Sequence, residues 1–270
     1  MRIHGTGNRV IVLLHGLPAS GDMFGAAYDA LAAHGQFVVP DVLGFGRSEH
    51  ADWTGFSLQE HLTALDAMAD ALDLNNRRLV VAGHSMGALL AWQWAARRAG
   101  QVDAVVTWCA PLFAGRQDAA RRLNRKAPGL AWLGLPGPVS RTVCQQLCTR
   151  RPRLAQWLYV LLYPRLPVAL SRQLTLHTWR SYAPAMTEIV LDGQSRRQAL
   201  QRLHDAAVPV VHAVGERDVL APSDAVTTLG EAARALTVVT HPTGDHLLPL
   251  DHPDWCVQVL AGAIPSSSSR

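Results

Sequence analysis

Charge is scarce in this chain: only 17% of its 270 residues are charged, against 49% hydrophobic, a balance that excludes a disordered or fibrous chain and is ordinary for a globular one. Long hydrophobic runs are missing, since no stretch reaches the roughly 20 apolar residues that span a bilayer. The start, MRIHGTGNRVIVLLHG, lacks a basic end followed by an apolar core of leader length, because Val10 to Leu14 is only a strand-sized run. The expectation is a soluble, cytoplasmic protein. Cysteine is also sparse. Cys109, Cys144, Cys148 and Cys256 are too few and too scattered for a disulfide framework, and none forms a C-x-x-C pair. Cys144 and Cys148 stand four apart and would share a helix face, which predicts a core or interface role.

What is present has a clear order. Apolar, β-branched runs recur at 9–16, 36–41, 78–85, 103–110, 209–218 and 236–242. They are continuous rather than alternating, as strands buried on both faces are. Between them, helical spacing predicts helices from Phe24 to His34, Leu58 to Leu72, Ala88 to Arg98, Ser223 to Ala235 and Asp254 to Ala263. Strand and helix in alternation imply a mostly parallel, doubly wound sheet with helices on both faces.

The alternation fails between about 114 and 205, where prolines at 128, 136, 138, 152, 164, 167 and 184 break helix-like segments. This stretch reads as an inserted helical module. It carries 15 Lys+Arg against 4 Asp+Glu, while the rest carries 10 against 17, so the overall charge of +4 hides a basic insertion on an acidic body. The expected division is 1–113 with 206–264 as the body, 114–205 as the insertion, and 265–270, PSSSSR, as a disordered tail.

One stretch carries chemistry. VAGHSMGALLAW, residues 81–92, sets Gly-His-Ser-Met-Gly between a strand and a helix, the pattern of a sharp turn that projects a serine Oγ from the sheet edge. Gly83 and Gly87 are required because side chains there would collide as strand and helix pack closely. A serine hydroxyl is a poor nucleophile at neutral pH, so Ser85 needs a histidine base and an acid to orient it. Asp218 closes a strand at Gly215-Glu216-Arg217-Asp218, where ligands of open α/β sheets bind. Of His241, His246 and His252, His246 is the candidate base: it follows Gly244 in a loop, whereas His241 stays at the strand terminus and His252 abuts Pro253. The candidate oxyanion donors are the backbone N–H groups of Met86 and of Leu17 in HGLPAS.

With these residues assembled, the chain resembles the α/β-hydrolase superfamily over roughly residues 9–112 and 207–262. The resemblance rests on five ordered motifs: His15-Gly16-Leu17-Pro18, Asp41 to Ser48, Gly83-His84-Ser85-Met86-Gly87, Gly215-x-x-Asp218 with Pro222, and Gly244-Asp245-His246 with Pro253. It implies a Ser85/Asp218/His246 triad, no cofactor and no metal, a lid inserted after the strand ending near Cys109, and a structural turn from Asp41 to Ser48. Met1 to Asn8 leaves room for one short strand where the family often has two. Relatives that dehalogenate carry aspartate where this chain has Ser85, and iminopeptidase-like relatives carry Gly-Gly-Ser-Trp-Gly with acids in the lid, which excludes both.

The implied activity is cleavage of esters of hydrophobic acyl or alcohol groups through an acyl-enzyme, with thioester or carbon–carbon bond hydrolysis as alternatives on the same residues. A non-turnover ligand receptor is the alternative of another class. Segment 129–170 mixes Trp132 and Trp157 with Arg150, Arg151, Arg153 and Arg165. Either the apolar residues pack a lid onto the body and the arginines face solvent, or they line an acyl pocket while the arginines attract an anionic substrate, carrier or membrane surface. No nucleic-acid motif accompanies the basic stretch, so the expected partner is a small hydrophobic ester and no nucleic acid.

Overall fold

The computed structural model describes residues 1–48, 50–162 and 166–265. The tail from Ser266 onward, and Arg165, lie outside the described residues.

Each apolar run forms a strand: β2 Arg9–Leu14, β3 Gln36–Val39, β4 Arg78–His84, β5 Val102–Trp108, β6 Val210–Gly215 and β7 Leu236–His241. The short leading segment supplies β1, Arg2–His4. They join into one sheet in the order β1-β3-β2-β4-β5-β6-β7, parallel throughout except for antiparallel β1. Because side chains alternate across a strand, β2 sends Val10, Val12 and Leu14 into one core and Ile11 and Leu13 into the other.

Helices cover both faces. α1, Leu58–Ala71, starts at a reciprocal cap in which Ser57 Oγ accepts from Glu60 N–H and the Glu60 carboxylate accepts from Ser57 N–H. α2, Met86–Arg97, leaves directly from Ser85 and buries Trp92 and Trp94. The expected helix from Phe24 is instead a 3-10 helix, Ala26–His34, whose rise of about 2.0 Å per residue spans more of the sheet than an α-helix of the same length. The segment Ser223–Ala235 is also 3-10 and breaks at Gly230, where φ is 59°.

Between β5 and β6 the described residues form helices: α3 Arg116–Lys126, α4 Leu130–Gly134, α5 Pro138–Cys144, α6 Pro152–Leu162, α7 Val168–Gln173, α8 Trp179–Pro184 and α9 Gly193–Asp205. Pro138 and Pro152 stand in first turns, where the missing N–H costs nothing. The insertion meets loops of the body: Arg180 donates to the carbonyls of Asp52 and Thr54, and Gln173 bonds Ser20 and Asp22. Arg196, 2% exposed, donates to the carbonyls of Pro111, Phe113 and Val190, tying the exit of β5 to the end of the insertion. Trp132 and Trp157 depart from the sequence expectation. They are 73% and 69% exposed, so they neither pack onto the body nor line an enclosed pocket. α10, Leu248–Asp251, and α11, Pro253–Ala263, close the fold.

Four histidines are buried inside this frame, His15, His61, His84 and His212. Burial, the largest cause for each, lowers them all, to about 4 for His61, about 3 for His84 and about 4 for His212. An unfolded histidine titrates near 6.5, so between there and pH 4 the unfolded chain binds protons that the fold refuses. Stability is therefore full above about pH 6.5 and falls with acid by about 1.4 kcal/mol per pH unit for each such histidine. Urea midpoints measured from pH 7 to pH 4.5 should drop steeply; a flat profile would contradict the assignment.

Candidate active site

The C-terminal ends of the central strands lie level, with Leu14 beside Gly83 and His84 beside Trp108. Between β4 and α2 the chain turns within one residue. Ser85 takes φ 54° and ψ −119°, a left-handed conformation that non-glycine residues hold only when their surroundings enforce it. Here the Ser85 N–H donates to the Trp108 carbonyl at 2.9 Å. A Cβ on Gly83 would stand 2.2 Å from the Gly87 carbonyl oxygen, and one on Gly87 would stand 2.1 Å from that of Leu14. Backbone fills both places, so neither position accepts a side chain.

The turn brings together three side chains from distant parts of the chain. His246 Nε2 lies 3.0 Å from Ser85 Oγ, and His246 Nδ1 lies 2.8 Å from Asp218 Oδ2. The other Asp218 oxygen accepts from the N–H groups of Leu220 and Ala221 at 2.8 and 3.0 Å. Burial raises the Asp218 carboxyl, but the His246 ring and those N–H groups outweigh it and hold it well below the usual carboxylate range. The acid thus stays ionised and holds its partner's Nδ1 as the protonated nitrogen.

Supporting contacts fix this geometry. His84 Nε2–H donates to the His246 carbonyl at 2.7 Å. Gly215, at the end of β6, lies so close to the His246 loop that a Cβ would meet the Gly244 carbonyl at 2.3 Å. On the opposite side, His15 accepts from Val42 N–H at 2.8 Å on Nε2, so its Nδ1 carries the proton donated to Gly16 O at 2.9 Å. Gly16 presses on the turn: a Cβ there would stand 2.9 Å from Ser85 Cβ. Leu17 follows it, and Met86 opens α2, where N–H groups have no intrahelical partners. His241 is in another place, its ring 4.0 Å from that of His252 and against Trp255. Asp41 spends its carboxylate on the N–H groups of Gly21 and Arg47.

The sequence gives no site role to His15 or His84, although both stand in the quoted motifs, nor to Cys109. That residue closes β5 with φ 52°, is fully buried, and lies 3.6 Å from the Asp245 carbonyl. Among the described residues two groups hold donor atoms within 4.8 Å of one another: Cys109, Asp218 and His246, and Cys144, Cys148 and His177. In the first, burial pushes the Cys109 thiol well above its usual range, and His246 and Asp218 are already bonded to each other and to Ser85. In the second, His177 Nδ1 donates to the Leu174 carbonyl at 2.9 Å, leaving Nε2 and two sulfurs as a soft donor set.

The profile of the "Alpha/beta hydrolase family" matches residues 11–259. The chain belongs to that family. This hydrolase-family chain is 28% identical over 264 residues, 96% of both chains, to a pimeloyl-[acyl-carrier protein] methyl ester esterase from Pectobacterium carotovorum. It is 36% identical to a haloalkane dehalogenase from Agrobacterium fabrum, over only 38% of its own length and 32% of the dehalogenase. Among solved structures, one reported for carboxylesterases of Nitrososphaera gargenis superposes with TM-score 0.72 at 17% identity, covering 97% of this chain and 92% of that one. At that identity the family member shares the fold alone.

Replacing Gly215 with Ala should force the β6 end and the His246 loop apart. The expected result is a drop of tenfold or more in the rate at which a fluorophosphonate labels Ser85, with helix content retained. Unchanged labelling would mean that the close approach is not what positions His246.

Proposed function

We propose that the protein is a serine hydrolase that cleaves carboxylic esters of hydrophobic substrates through an acyl-enzyme. The observation that carries this reading is the continuous path Ser85 Oγ, His246 Nε2, His246 Nδ1, Asp218 Oδ2, with links of 3.0 and 2.8 Å. His246 takes the Ser85 proton as Oγ attacks the carbonyl carbon, while ionised Asp218 stabilises the imidazolium without taking a proton itself. The negative oxygen is received by the N–H groups of Met86 and Leu17. His246 then returns its proton to the departing alkoxide, and the same base activates the water that frees the acid.

The leaving group is chosen by the helices of 114–205, which act as the cap. Dehalogenation does not suit this nucleophile. A carboxylate that displaces halide becomes an ester that water can cleave, whereas Ser85 would become an ether with no carbonyl to attack, and the enzyme would stop after one event. A relative matched over 96% of its length is an esterase, in keeping with a carbonyl substrate.

The test is steady-state turnover on a chain-length panel of chromogenic esters and thioesters. Ser85→Ala should reduce kcat by about 10⁶-fold, and Asp218→Asn, which permits the wrong tautomer, by about 10⁴-fold. Faster turnover of thioesters at every length would transfer the reading to a thioesterase. Equal rates for wild type and Ser85→Ala on every substrate would overturn it in favour of a ligand receptor. No halide should be released from a bromoalkane.

A further inference from the structure

Helix α6 turns an apolar stripe outward. Leu154, Trp157, Leu158 and Leu161 recur at helical spacing and are 45%, 69%, 36% and 65% exposed, while Ala155 on the same helix is 1% exposed. Large apolar side chains scattered singly on a surface need no explanation, but a row of four on one helix marks a surface that is normally covered. The body does not cover it.

The chain on either side of the stripe carries one sign of charge. From residue 119 to residue 187 the sequence contains 11 Lys+Arg and no Asp or Glu. Three of those arginines, Arg150, Arg151 and Arg153, are exposed at the entrance to α6. No helix among the described residues is long and apolar enough to cross a membrane, so a helix of this kind lies on a surface rather than through it.

We propose that α6 is an interfacial helix that docks on an anionic lipid bilayer, with Trp157 and the leucines entering the acyl boundary and the three arginines held at phosphate level. A bilayer satisfies both halves of the observation. Apolar burial and attraction to anionic lipid add in one orientation, and a tryptophan ring suits the depth between headgroup and acyl chain. A second copy of the chain fits less well, because a two-fold contact through the stripe would set Arg150, Arg151 and Arg153 of one copy near those of the other. An acidic protein would engage the arginines and leave the apolar row in water. The proposal does not rest on the esterase reading, and its test involves no turnover.

The experiment is co-sedimentation of the full chain with vesicles of phosphatidylcholine alone, or of equal parts phosphatidylcholine and phosphatidylglycerol, at physiological ionic strength. The protein should sediment with the mixed vesicles and far less with the neutral ones, and added salt should weaken the binding. The triple variant Arg150→Gln, Arg151→Gln, Arg153→Gln should lose roughly a hundredfold in affinity for the mixed vesicles, taking each basic residue as worth about fivefold. The double variant Trp157→Ser, Leu161→Ser should lose more than about tenfold. Circular dichroism and thermal unfolding of both should match the wild type, as all five side chains are exposed. Failure of the wild type to sediment with anionic vesicles would overturn the proposal. So would binding that the arginine variant abolishes and the apolar variant leaves intact, which is the mark of an acidic-protein or charge-only site. A dimer in sedimentation velocity that the apolar variant dissolves would assign the face to a second copy instead.

Discussion

The structure depends on a backbone crossing too tight for any side chain. Beneath Ser85 the end of β4, the first turn of α2 and the end of β2 pass within contact of one another, and a methyl group on Gly83 or Gly87 would overlap a carbonyl oxygen. That closeness lets the chain reverse within one residue and leaves Ser85 in a conformation it would not adopt alone. The same device recurs at the facing strand end, where Gly215 and Gly244 touch and fix the height of the His246 loop. Two glycine contacts, on two strands, thus set the distance across which a proton moves.

Electrostatics then sorts the ionisable groups at that edge. Asp218 is buried yet remains charged because a ring nitrogen and two backbone N–H groups serve its oxygens. His15 and His84 are buried and neutral, so each offers one donor and one acceptor rather than a charge. His84 uses its donor to hold the main chain of His246, and His15 uses one nitrogen to hold the Gly16 carbonyl ahead of Leu17 and the other to accept from Val42 N–H in the loop after β3. His84, which positions the site, is by the same burial one of the histidines, with His61 and His212, that make the fold sensitive to acid.

Much of this was legible in the residues. Continuous β-branched runs mark strands buried on both faces, and six of the seven strands stand where such runs occur. Ser85, Asp218 and His246 could be singled out because the turn chemistry of Gly83 to Gly87 and the strand-end position of Asp218 are local properties. Other features depend on which strands become neighbours. Cys109 lies beside Asp218 only because β5 pairs with β6 across about a hundred intervening residues, and nothing near Cys109 in the chain announces it. Helical periodicity likewise groups Leu154, Trp157, Leu158 and Leu161 on one face without saying whether that face turns inward. Their exposure reverses the simplest expectation for an apolar stripe.

The central claim is that Ser85 becomes covalently acylated and is then freed. Rapid mixing with a chromogenic ester, followed by quenching and mass spectrometry of the digested protein, measures this directly. The account predicts a burst of alcohol stoichiometric with enzyme, the acyl mass on the peptide containing Ser85, and its disappearance as turnover proceeds. Steady turnover with no adduct under any quench time, or an acyl group found only on another residue such as Cys148, would contradict it.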